Sequence, residues 1–292
     1  MTKKSATKAP AKETKGVADI DWMATFIEAM NSPGALGNTY CRFYNYSFLN
    51  QIRLMMQGVM EPVATYRRWL ELGYQVQKGS KAKTVLAPLI ITKRDESGKP
   101  KINKNTGKAE QVLVGFRDSR TVFGFSDTDG EELPEIELPE WDAKTALAAL
   151  DVQRKRFRHN DGNCQGYSTE NGEKVVAINP AAKYPAKTLL HELAHIVLGH
   201  CKALAERPSE AERHRGVSEF EAESVAYLVA KELELVDWNP AESRAYINDW
   251  LQHDGHDPKG SNGPAFDDKN ISRIFAAANK ILVAGRAVPD SE

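Results

Sequence analysis

His191-Glu192-Leu193-Ala194-His195 is the stretch that most restricts what this chain can build. Two histidines four residues apart on a helix share one face, with side chains about 6 Å apart. Two imidazoles in that relation can grip one metal ion. Glu192 projects roughly 100° around the axis from His191, beside the ion and not on it, where it can take a proton from a bound water. Pro185 suits an early helical position, Leu189, Leu190, Ile196, Val197 and Leu198 are apolar, and Gly199 offers a stop. Burying two histidines and a carboxylate on so apolar a helix is costly without a purpose. The pattern therefore predicts a metal centre in place of a core helix with satisfied histidines. Zn²⁺ suits such ligands plus an open position, and lowers the pKa of its water to about 7. Mn²⁺ or another divalent ion stays an alternative, because affinity order alone does not choose the metal.

A third ligand must come from elsewhere. The metzincin register would need Gly at 198 and His at 201, but Leu198 and Cys201 stand there, and His200 is out of step. Downstream, Phe220, Val225, Leu228 and Val229 mark a second helix. Glu219 and Glu223 share one of its faces, and Glu221 points some 200° away from Glu219. This E-x-x-x-E arrangement resembles the glutamate helix of gluzincins. The resemblance assigns Glu219 as metal ligand and Glu223 as the group that orients a ligand histidine, with the reverse assignment left open. Segments 163–168 and 174–178 flank Glu170-Asn171-Gly172, a turn signal, and read as a β-hairpin. An edge strand just before such a helix is a place for an extended substrate to pair. Tyr167, Tyr184 and Tyr227 are either oxyanion helpers or ordinary core and rim residues.

Charge divides the chain. Residues 1–130 carry 20 Lys and Arg against 12 Asp and Glu, whereas residues 131–292 carry 19 against 28. The expected fold class is α+β in two domains: a basic α+β domain over 17–126 and a mainly helical metallopeptidase-like domain with a small β-sheet over 142–292. An acidic, proline-punctuated linker at 127–141 joins them, and 1–16 reads as a disordered basic tail. No run of eighteen apolar residues suggests a membrane span. Three scattered cysteines, Cys41, Cys164 and Cys201, argue for a reducing cytoplasm over a disulfide framework.

The basic half has its own texture. Eight aromatics fall between Tyr40 and Tyr74, interleaved with Arg42, Arg53, Arg67 and Arg68. Stacking surfaces beside cations are what single-stranded nucleic acid requires. Arg42, Tyr44, Tyr46, Arg67, Arg68, Lys78 and Lys81 are the expected DNA contacts. Phe48, Ile52, Met55 and Val59 recur at helical spacing and are assigned to the core. Strands are expected at 84–92, 111–116 and 120–125, with a charged hairpin arm between the first two. Scaffold helices are expected at 142–157, 241–252 and 269–284.

Several stretches together carry a family resemblance: Tyr46-Ser47-Phe48-Leu49-Asn50-Gln51, residues 65–79, Val122-Phe123-Gly124-Phe125-Ser126-Asp127-Thr128, and the two metal helices. In these the chain resembles the ArdC-type antirestriction proteins of conjugative plasmids. The resemblance implies an N-terminal single-stranded-DNA-binding domain and a C-terminal gluzincin-like metallopeptidase domain that together protect incoming plasmid DNA from host restriction. It carries His191, His195 and Glu219 over as metal ligands and Glu192 as general base. Two other readings stay open. One is a cytoplasmic zinc metallopeptidase that cleaves a DNA-bound regulator, a repressor or a host restriction component. The other is a non-catalytic DNA-shielding protein with a structural metal site.

Overall fold

The computed structural model describes residues 20–31, 46–95, 97–103, 107–130, 140–158, 163–203, 206, 215–253, 255–256, 258 and 265–286. The 1–16 tail, most of the 127–141 linker, Cys41, Arg42 and Tyr44 lie outside the described residues.

Helix α1 (Trp22–Asn31) is followed by α2 (Phe48–Met56), which begins where Ser47 Oγ accepts the Asn50 N–H at 3.4 Å. Phe48, Ile52 and Val59 are buried as their spacing predicts, and Met55 packs partly buried against them. Asn50, also buried, exchanges hydrogen bonds with the Leu86 backbone at 2.7 and 3.0 Å. Those bonds hold α2 to the sheet that follows.

That sheet has the order β1 (Val63–Thr65), β4 (Gln111–Gly124), β3 (Lys83–Thr92), all antiparallel. The sequence suggested two strands where β4 is one. Arg117-Asp118-Ser119-Arg120 reads as a turn by polarity, yet much of the ribbon is solvent-exposed and tolerates polar residues in mid-strand. Register shifts beside Thr84 and Ile90 absorb the extra residues as bulges. Bridges Arg94–Pro100 and Ile102–Ala109 extend the ribbon as an arm. Beside it, α3 (Tyr66–Glu71) and the pair β2 (Gln75–Val76) and β5 (Thr128–Asp129) close around Trp69, whose indole N–H donates to the Phe123 carbonyl at 2.9 Å.

The second half opens with α4 (Ala143–Ala149), capped by Asp142. The longer helix expected here ends early because Asp151 takes a left-handed φ of 55°. Val152 then enters β6 (Val152–Arg154), parallel to β8 (Glu173–Ile178). The predicted hairpin is β7 (Gly166–Asn171) and β8, turning at Gly172 with φ of 78°. The sheet order β6-β8-β7 leaves β7 at one edge.

Among the described residues four helices follow: α5 (Pro185–Leu198), α6 (Arg215–Glu232), α7 (Pro240–Gln252) and α8 (Asp268–Ala284). Helix α6 is buried nearly all round, which is why its acidic residues deserve a partner each. The main core crosses the charge boundary. Phe26 of α1 and Phe48 of α2 pack on Phe275 of α8, with ring centroids 6.4 and 6.1 Å apart. Phe220 of α6 stacks on Phe266 at 4.4 Å and lies 5.3 Å from Trp250. The whole is a mixed α+β fold, and among the described residues no helix is long and apolar enough to cross a membrane.

Candidate metal centre

Helices α5 and α6 pack together and bring His191, His195 and Glu219 to one point. The two Nε2 atoms are 3.1 Å apart, and Glu219 Oε2 lies 3.4 Å from that of His191 and 3.6 Å from that of His195. Bonds of about 2.0–2.1 Å at tetrahedral angles would set donor atoms about 3.3–3.4 Å apart. The observed triangle brackets that spacing, so these side chains fit a divalent ion. Glu219 keeps 40 % of its side chain exposed, so the cluster opens to solvent on that side.

Each histidine is held from behind, by different means. His191 Nδ1 is 3.0 Å from Glu223 Oε2, and both Glu223 oxygens receive Lys187 Nζ at 2.6 and 2.5 Å. Glu219 and Glu223 thus occupy the positions that their four-residue spacing suggested. His195 Nδ1 is 3.0 Å from Nδ1 of His200, whose Nε2 is 2.8 Å from Glu221 Oε2. Gly199 brings His200 back under the helix: its φ of 79° ends α5 in a left-handed turn, and the His200 N–H donates to the His195 carbonyl at 2.8 Å. His200 therefore stands behind His195 and outside the three-donor cluster, and helical periodicity does not reveal it because the helix has already stopped. Lys187 was not singled out in the sequence, His200 was set aside as out of register, and Glu221 was read only as pointing away from Glu219.

Glu192 is buried beside the cluster, and Ser168 Oγ donates to its Oε2 at 2.7 Å. Ser168 sits on the edge strand β7. Gly166, two residues earlier, faces Thr188, where a Cβ would come within 2.9 Å of the threonine methyl. Two strand residues span about 6.7 Å and four helical residues about 6 Å. The pairs 166/188 and 168/192 therefore keep step, and glycine lets strand and helix approach closely. Cys164, Gln165 and Gly166 with Thr188, Glu192 and Glu223 line a cleft of about 270 Å³ that reaches His191. Among the tyrosines considered, Tyr227 is fully buried and donates to the Met30 carbonyl, while Tyr184 contacts Glu242 at 3.3 Å.

The cluster's electrostatics are those of carboxylates around an imidazole. Burial pushes the His191 pKa down, but hydrogen bonds to Glu219 and Glu223 outweigh it and carry the group up to about 9. Burial raises Glu223, but His191 and Lys187 bring it down to about 2. Glu219 is held well below the usual carboxylate range by His191 and His195. Burial lowers His200 despite Glu221. In the metal-free chain His191 is stabilising fully below its ordinary value of 6.5, and that contribution is lost as pH rises through about 9. Glu223 contributes above its ordinary 4.5, and its share is lost as pH falls towards about 2. A metal must displace the His191 proton, so its affinity rises with pH across this window.

The residues expected to meet DNA are distributed unevenly. Arg67 and Arg68 lie exposed on α3, each bonded to Glu71 at 3.0 and 3.2 Å, and Lys78 and Lys81 are exposed on the loop after β2. Tyr66, 45 % exposed, stands beside them with Gln75 donating to its hydroxyl at 3.1 Å; it was not among the expected contacts. Tyr46 instead packs half-buried against the main core, and burial pushes its phenol up to about 12.

The region carrying these residues has a recognisable relative. Residues 14–123 match the model of the N-terminal domain of anti-restriction factor ArdC. Over this stretch the chain is similar to the N-terminal domain of the ArdC antirestriction proteins. Two crystal structures of antirestriction protein ArdC from the R388 plasmid are similar to it. The metal-free form is 23 % identical with a TM-score of 0.43, covering 82 % of each chain. The Mn(II)-bound form is 20 % identical with a TM-score of 0.46, covering 91 % of this chain and 98 % of that one. No curated protein matches the sequence significantly.

Proposed function

We propose that this chain is an ArdC-type protein that binds single-stranded DNA without sequence preference, protects incoming plasmid DNA from restriction, and carries a metal-dependent peptidase centre. The observation that carries the catalytic part is Glu192, held by Ser168 next to three donors spaced for one divalent ion. His191, His195 and Glu219 would hold that ion. When bound, it supplies a Lewis acid and a water of pKa about 7. Glu192 takes the proton of the attacking water and returns it to the leaving amine, and Ser168 keeps its carboxylate aimed at the cleft. Among the described residues β7 lies at the sheet edge, where its backbone groups would meet an extended polypeptide. The substrate class is therefore a peptide segment of a protein met on DNA, with a host restriction component as the obvious case. Zn²⁺ suits the two-imidazole, one-carboxylate set, and Mn²⁺ is also compatible with it.

The nucleic-acid part rests on the module around Trp69. Tyr66 offers an exposed ring for stacking, and Arg67, Arg68, Lys78 and Lys81 offer cations for phosphates. Titrating the full chain with unrelated single- and double-stranded oligonucleotides across a salt series tests this. Single strands should bind more tightly, with affinity falling as salt rises. If all four cations meet phosphates, replacing them together with Ala should flatten the log–log salt slope by about 3, at about 0.7 per contact. Equal affinity for duplex, or an unchanged slope, would remove this module from the interface.

A further inference from the structure

We infer that His200, backed by Glu221, fixes the proton of His195 on Nδ1 and so keeps its Nε2 lone pair aimed at the metal position; this rests on the metal-centre reading above. Glu221 is fully buried, and its Oε1 accepts from Asn270 at 2.9 Å and faces Arg273 Nε at 3.2 Å. A carboxylate so placed is an acceptor only, so the His200 Nε2, 2.8 Å from Oε2, must carry the hydrogen. A neutral imidazole has one such hydrogen, which leaves His200 Nδ1 as a lone pair. His195 Nδ1, 3.0 Å away, must then be the donor. Its Nε2 is left bare, beside His191 and Glu219.

With His200 only 6 % exposed, water has little room to substitute for either partner. The chain of contacts is rooted in the last helix: Asn270 and Arg273 both belong to α8, and Arg273 Nη2 donates to the Leu198 carbonyl at 2.8 Å. One end of α8 thereby braces the end of α5 that carries His195. His200 is a positioning residue, acting through His195 and never touching the metal.

The test uses the full chain labelled with ¹⁵N, comparing wild type with His200→Leu and His200→Gln. Long-range ¹⁵N–¹H spectra of the metal-free protein read the tautomer, and a competitive Zn²⁺ titration reads affinity. In wild type, His195 should appear with its proton on Nδ1. In His200→Leu it should shift toward the Nε2–H form that an unconstrained imidazole favours, with Zn²⁺ affinity falling 10- to 100-fold, the range seen when such outer partners are lost. His200→Gln, whose oxygen accepts and whose nitrogen donates, should recover most of that loss. An Nε2–H tautomer in wild type would overturn the inference, as would wild-type affinity in the Leu variant or no recovery with Gln. Should the Leu variant fail to fold, the wild-type tautomer still decides. A chain that binds no Zn²⁺, yet shows His195 protonated on Nδ1, would sink the metal reading and leave the bracing intact.

Discussion

Glu192→Ala should abolish peptide hydrolysis while leaving the metal bound and the fold unchanged. Among the described residues Glu192 accepts a hydrogen bond from Ser168, whereas His191 and His195 are held by Glu223 and His200. Removing it deletes the proton acceptor alone. General acid–base groups contribute about 10²- to 10⁴-fold, and turnover should fall by at least that range. Metal affinity should stay within a few-fold of wild type. The same variant separates the open readings of the protein. If protection of incoming DNA is lost with turnover, hydrolysis is part of the function. If protection survives, the metal centre is structural for that role and the basic half shields the DNA by itself.

Phe220→Ala should cost about 3–5 kcal/mol of stability, the range for emptying a buried aromatic site. Phe220 is fully buried, stacks on Phe266 of the segment before α8, packs against Trp250 of α7, and meets Phe26 of α1 at 6.1 Å. Three parts of the chain lose a shared partner, and few can collapse into the gap without moving Glu219, the adjacent residue in α6. The midpoint of thermal unfolding should drop on the order of 10 °C. A drop of only one or two degrees, with metal binding intact, would mean that these rings do not form one core across the two halves.

How much of this was legible in the sequence follows from the range of the forces involved. Periodicity placed His191, Glu192 and His195 on one helix and set Glu219 and Glu223 on one face of another, because helical geometry is local. The β7–β8 hairpin was equally legible from its glycine turn. What escaped prediction depends on partners distant in sequence. Glu221 looked like a residue on the wrong face, and it is the face that meets His200 and Asn270. Ser168 is a strand serine of no apparent interest until Gly166 lets its strand close onto α5. Charge asymmetry separated the halves by composition. Composition says nothing about Phe26 and Phe48 docking on Phe275, which is decided by shape and apolar area. The early end of α4 at Asp151 and the unbroken β4 went unseen for a third reason: a single left-handed residue ended one element, and exposure removed the polarity signal from the other.

In the proposed function His191, His195 and Glu219 form one divalent-metal site whose occupancy competes with a proton on His191. Equilibrium titration of the full chain with buffered Zn²⁺ at several pH values, beside His195→Ala, tests it most directly. The expected result is one ion per chain, with affinity rising about tenfold per pH unit between roughly 7 and 9 as His191 gives up its proton, and no saturable binding in His195→Ala. A pH-independent affinity, a different stoichiometry, or undiminished binding in the variant would contradict the account.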